Sequence, residues 1–145
     1  MTTLYGVNYT KYNTGPTEAN IQVRGMVSGD VSYMRDTYEA SSTTAADVIY
    51  VGHPLNAGDR IIGFILSTDD LGTSVTMDIG TLADDDEFAS AIDVQAAAVS
   101  GNTACIVDGC DYVIGTTTND EIIMLTLNTA AATGTIKITV LYSRV

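Results

Sequence analysis

The sequence predicts an all-β fold: a two-sheet sandwich of about eight strands, most simply a jelly roll, carrying an extended N-terminal arm and one short helix. Three observations predict it. Thr, Val, Ile and Tyr are abundant, and their branched and aromatic side chains suit a pleated surface. From residue 30 onward short apolar runs recur at regular intervals, separated by Gly, Asp, Asn and Ser, the spacing of a sandwich or barrel. Eight strands in two sheets is also the usual jelly-roll count. The 145 residues fit one domain, long enough to bury a substantial core.

Taken in order, residues 1–28 read as an arm and 29–145 as the sandwich. The arm carries Tyr5, Tyr9 and Tyr12 among Gly6, Gly15, Pro16 and Gly25. It shows no sustained period of 2 or 3.6, apart from one short strand near Ile21, Gln22 and Val23. Fully extended it reaches roughly 90 Å, against a radius of gyration of roughly 15 Å for the domain. Within the sandwich, 31–39 alternates loosely, and 48–51 is a short strand closed by Gly52, His53 and Pro54. Residues 60–66 are apolar on both faces and predict a central strand covered on both sides. Val75, Met77 and Ile79 alternate cleanly inward. Strands at 104–107 and 112–114 flank Asp108-Gly109, a tight-turn dipeptide. Strands at 121–127 and 135–142 close the chain, the last with Ile136, Ile138, Val140 and Tyr142 on one face. Residues 86–99 differ. Phe88, Ala91, Ile92 and Gln95 fall at helical spacing behind the acids Asp84, Asp85 and Asp86, which suit a helix N-terminus. This segment is therefore the expected helix.

Charge narrows the function. The net charge is −12, with six basic residues (Lys11, Arg24, Arg35, Arg60, Lys137 and Arg144) spread along the chain. Binding nucleic acid requires cations against phosphates, so neither nucleic acid nor an anionic membrane is an expected partner. The charge favours solubility at high concentration. The longest apolar run, 61–66, is too short to span a bilayer. No basic-then-apolar leader opens the sequence, and two cysteines do not make a disulfide framework, so synthesis in a reducing cytosol is expected.

The residue types of common active sites are sparse. His53 is the one histidine, set between Gly52 and Pro54, and reads as a turn residue rather than a general base. Cys105 and Cys110 have no second pair for zinc and one residue pair too many between them for a redox motif; they read as small buried thiols. Asp69-Asp70 and the run Asp84 to Glu87 could offer oxygens to Ca²⁺, but lack EF-hand spacing and read as solvated turns. Paired carboxylates for glycoside hydrolysis lack an aromatic cleft, since there is no Trp and only two Phe. No phosphate-binding Gly motif occurs. The sequence therefore predicts no enzyme, no cofactor, no metal and no small-molecule substrate. Six of eight tyrosines lie in the first fifty residues, and Tyr is favoured at protein interfaces. Leu4, Tyr5, Tyr9 and Tyr12 are the candidate interface residues.

Several stretches carry a resemblance. Tyr33-Met34-Arg35-Asp36-Thr37-Tyr38-Glu39-Ala40-Ser41, the run from Arg60 to Leu66, the run from Asp69 to Gly80, and the ending from Ala132 to Tyr142 resemble small virion proteins of tailed bacteriophages. Within these the chain is most similar to the capsid decoration (cement) proteins. The resemblance covers residues 30–145 in outline and rests on layout rather than a diagnostic motif. It implies a structural virion protein on the exterior of a phage capsid, a homotrimer partnered by the major capsid protein and itself, with the arm and its Leu4, Tyr5, Tyr9 and Tyr12 gripping the shell. A head-fibre or tail component shares the composition. From a different class, a carbohydrate-binding β-sandwich using Ca²⁺ and exposed tyrosines is the other alternative.

Overall fold

The computed structural model describes residues 2–6, 10, 31–95, 112–115 and 122–144, together with the backbone of 100–103. Its strands are β1 (Thr3–Tyr5), β2 (Val31–Thr43), β3 (Val48–Tyr50), β4 (Arg60–Thr68), β5 (Thr76–Thr81), β6 (Ala89–Asp93), β7 (Ser100–Thr103), β8 (Ile123–Asn128) and β9 (Ala132–Ser143). They form a five-stranded sheet ordered β1-β3-β8-β5-β6 and a four-stranded sheet ordered β2-β9-β4-β7. The all-β two-sheet sandwich expected from the sequence is present.

The pairing is nested. β2 pairs with β9, β3 with β8, β4 with β7 and β5 with β6, each antiparallel. This is the pattern of one long hairpin rolled over itself, and the further pairs β4–β9 and β5–β8 close the roll into sheets. Alternation then sorts the side chains. From the four-stranded sheet Met34, Val140 and Phe64 lie side by side, as do Ile138 with Leu66 and Tyr142 with Ile61. From the other sheet Ile49, Leu125 and Ile79 form a facing row. These residues make one buried cluster with Phe88, whose ring centroid lies 5.2 Å from that of Phe64 and 5.3 Å from that of Tyr112. Each such side chain contributes about 1.5–3 kcal/mol by leaving water, so the seam between the sheets is the main source of stability.

Two expectations are corrected. The segment expected as a helix over 86–99 is a strand where it is described: residues 89–93 are β6, with no helix in 86–95. The cause is a β-bulge. Ala89 and Ile92, three apart, face Ile79 and Met77, two apart, so one extra residue turns a period of 2 into an apparently helical spacing. Ala91 takes φ of 54°, and its N–H donates to the buried carboxylate Asp78 Oδ1 at 2.6 Å. Asn128 Nδ2 donates to the other oxygen. The acids read as a helix start form a turn instead: Thr81 N–H donates to Asp84 O at 2.7 Å, and Thr81 Oγ1 accepts from Ala83 and Asp84 N–H.

The second correction concerns β4. It is central in its sheet, as expected, but one face is open: Ile62 and Ile65 are 43% and 40% exposed. Of the expected strand at 112–114, only Val113 pairs, in a single bridge with Arg60. The expected strands near residues 21–23 and at 104–107, with the turn at Asp108-Gly109, lie outside the described residues.

Candidate protein-binding surface

The start of the arm is built into the sandwich. β1 runs parallel to β3, placing Leu4 beside Ile49 and Tyr5 beside Tyr50. Thr2 N–H donates to Asp47 Oδ1 at 3.0 Å, and Gly6 N–H to Tyr50 O at 2.9 Å, so the segment is tied at both ends. Leu4 packs against the core, while Tyr5 stays 48% exposed with its ring edge-on to Tyr50 at 5.7 Å. Gly6 is buried where no side chain fits: a Cβ there would sit 2.3 Å from Asp36 Oδ2 and 2.9 Å from Tyr50 O. Tyr9 and Tyr12 lie outside the described residues. Of the four candidate interface residues, the structure brings Leu4 and Tyr5 together on one edge strand, Leu4 facing the core and Tyr5 facing solvent.

The two sheets differ in what covers their outward faces. On the five-stranded sheet the outward positions Val48, Met124, Thr126 and Asp78 are buried, although they stand outside the core cluster. On the four-stranded sheet the outward face is open. Register places Tyr33, Leu141 and Gly63 in one outward row, Arg35, Thr139 and Ile65 in the next, and Thr37, Lys137 and Ser67 in a third. Val31 and Tyr33 are 58% and 69% exposed, and Ile62 and Ile65 join them. Large apolar side chains gathered on one open sheet face mark an interaction surface more than isolated ones do. The sequence carried a signal for this surface in the run that is apolar on both sides, Arg60 to Leu66. It could not say that the second side is left open by the chain's own fold.

The other residues singled out from the sequence sit in turns. His53 Nδ1 lies 2.8 Å from Pro54 O, beside Gly52, whose φ is 61°. Gly52 N–H donates to Asp36 Oδ2 at 2.9 Å, so the turn is pinned to β2. The carboxylates of Asp84, Asp85 and Asp86 converge within 4.8 Å on an exposed turn, three residues where Ca²⁺ takes six to eight oxygens. The hydrogen bond between Asp86 and Asp84, with the charges of Asp84 and Asp85, holds Asp86 above the ordinary carboxylate value. Asp47 and Asp69 shift the other way. Asp47 is lowered first by the Thr44 hydroxyl and then by Thr2 N–H, and Asp69 by the N–H and hydroxyl of Thr135. Each of these two carboxylates holds a loop to a strand. The gap between the sheets at Gly6, Asp36, Tyr50 and Ile136 has a volume of about 10 Å³, room for one water at most. Cys105 and Cys110 lie outside the described residues.

No protein-family model matches the chain, and no curated protein does. Two solved structures are similar. One is a chain in the structure of the cyanophage Pam1 capsid asymmetric unit, 22% identical, covering 88% of this chain and 96% of that one with a TM-score of 0.62. The other is a chain in the capsid of Ralstonia phage GP4, 18% identical, covering 99% of both chains with a TM-score of 0.54. The fold is one that occurs in phage capsid structures. At these identities the likeness shows a shared fold.

Proposed function

We propose that this chain is a structural virion protein that decorates a phage capsid, binding the exterior of the shell as a homotrimer and stabilising it. The observation that carries the reading is the likeness, over 88% and 99% of this chain, to chains found in two phage capsid structures. Its nested strand order is read as a jelly roll, a scaffold that presents two broad sheet faces and several loop ends to neighbours. The open outward face of β2, β9 and β4 gives it a protein-binding surface, and Tyr5 on the docked edge strand adds a second exposed aromatic. In this reading the partners are the major capsid protein and further copies of the chain. Catalysis, cofactors, nucleic acid and membrane play no part.

The physical logic is that of a repeated clip. A trimer meeting a symmetric shell engages several sites at once, and each contact after the first forms at high effective concentration. A net charge of −12 keeps unbound copies soluble in the host cytoplasm at the level that covering a shell requires. The test is the protein inventory of purified virions from the virus whose genome encodes the chain. Mass spectrometry is expected to find it in many copies per particle, and surface labelling to modify it on intact particles. Its absence from virions would overturn the proposal, and presence without outer labelling would overturn the exterior placement.

A further inference from the structure

The open face of the four-stranded sheet has an unusual charge for this chain. Its outward positions on β2, β9 and β4 include Arg35, Lys137 and Arg60, against two carboxylates: Glu39, which accepts from Thr135 Oγ1 at 2.9 Å, and Asp69 just past the end of β4, which accepts from Thr135 N–H at 3.0 Å beside Lys137. Three of the six basic residues of a chain with eighteen acids thus stand on one face. Arg60 is half-buried, while Arg35 and Lys137 are exposed. Between the cations lie Val31, Tyr33, Ile62 and Ile65, exposed, and Leu141, half-buried. Elsewhere the described surface is dominated by acids, with Asp70, Asp84, Asp85, Asp86 and Asp93 all exposed. The surface is therefore polarised into a small basic and apolar face and an acidic remainder.

Resting on the trimer of the proposed function, we infer that the outward face of β2, β9 and β4 is its subunit interface, and that it is occupied by the acidic surface of a second copy of this chain. Both halves of the charge complementarity belong to the chain itself. Nine residues of β2, Val31 to Glu39, run about 30 Å, and three strands span roughly 14 Å. That projects to roughly 430 Å², about half of the roughly 800 Å² each partner gives to a standard interface, so this face forms the centre of the contact and the loops around it the rest. Charge also selects the symmetry. A face-to-face two-fold pair would set cations against cations, whereas a head-to-tail contact sets them against acids, and a head-to-tail contact that closes makes a ring. Crowded carboxylates such as Asp84, Asp85 and Asp86 lose repulsion when a neighbour's cations approach.

The test uses the full chain and reads native mass by light scattering at about 0.15 M salt, where exposed charges still act over several ångströms. Wild type is expected at three times the 15.3 kDa chain mass. The double variant Arg35→Glu/Lys137→Glu is expected as a monomer, with trimer affinity lowered at least tenfold and the far-ultraviolet circular dichroism of wild type. Tyr33→Ser removes apolar area without changing charge and is expected to weaken the trimer independently. The double variant Arg35→Lys/Lys137→Arg keeps both charges and is expected to remain trimeric. A charge-reversed variant that stays trimeric overturns the inference. If that variant also ceases to co-sediment with capsids, the face meets the shell, and the decoration reading survives while this one falls. A monomeric wild type overturns the inference together with the trimer, and capsid co-sedimentation of that monomer then judges decoration separately.

Discussion

Replacing Gly6 by Ala tests whether the start of the arm is an integral part of the sandwich. The added Cβ would lie 2.3 Å from Asp36 Oδ2 and 2.6 Å from its Cγ. Ordinary van der Waals contact begins at 3.4 Å, so the carboxylate oxygen must retreat by about 1.1 Å, or β1 must lift away. Retreat is opposed because Asp36 is buried and its two oxygens accept from Thr37 N–H at 2.8 Å and Gly52 N–H at 2.9 Å. Breaking one such bond to a charged group costs about 1.5–3 kcal/mol, similar to the roughly 1–3 kcal/mol of overpacking. Lifting β1 instead forfeits the Gly6–Tyr50 hydrogen bond and the contact of Leu4 with the core. For a domain of this size about 2 kcal/mol lowers the melting temperature by roughly 4–8 °C. The assay is thermal unfolding followed by circular dichroism, paired with limited proteolysis of the first ten residues. A Gly6→Ala protein that melts with wild type and resists proteolysis equally would refute the reasoning.

Three further outcomes are expected. Phe88→Ala empties a fully buried site between Phe64 and Tyr112 and should cost about 3–5 kcal/mol, read as a shifted midpoint in urea at unchanged slope. A change below about 1 kcal/mol would contradict the placement of Phe88 in the core. Asp47 and Asp69 are held below their ordinary value of 3.8, so the stability they add is full above that value and is lost as pH falls through their lower folded values. Asp86, held above 3.8, acts oppositely and favours the folded state on the acid side. Denaturation between pH 3 and 7 should show stability falling below about pH 4, with a shallower fall in Asp47→Asn; identical profiles would contradict the assignment. Deleting residues 1–28 removes β1 as well as the tyrosines, and should leave a folded but less stable sandwich that no longer binds capsids. Full-affinity binding by that variant would remove the arm from the interface.

The sequence made the sandwich legible because its register is written in alternation. Val31, Tyr33 and Arg35 against Met34, and Ile136, Ile138 and Val140 against Lys137 and Thr139, can be sorted by a period of 2. It hid β6 because a bulge at Ala91 breaks that period, and a one-residue insertion imitates a helix over so short a stretch. The parallel docking of Thr3–Tyr5 was also hidden. Parallel pairing to β3 depends on Gly6 fitting against Asp36, thirty residues away in sequence. The candidate surface was half legible: an apolar run on both sides of β4 announced two covered faces. The fold supplies one cover and leaves the other face, with Tyr33 and Arg35 beside it, exposed.

The most direct measurement of the central claim is co-sedimentation of the purified full chain with capsids assembled from the shell protein encoded in the same genome. The account predicts saturable binding to the outer surface of the shells, at a stoichiometry of whole trimers, with the bound particles surviving higher temperature than bare ones. Capsids that pellet alone, leaving the chain in the supernatant at every concentration, would contradict it.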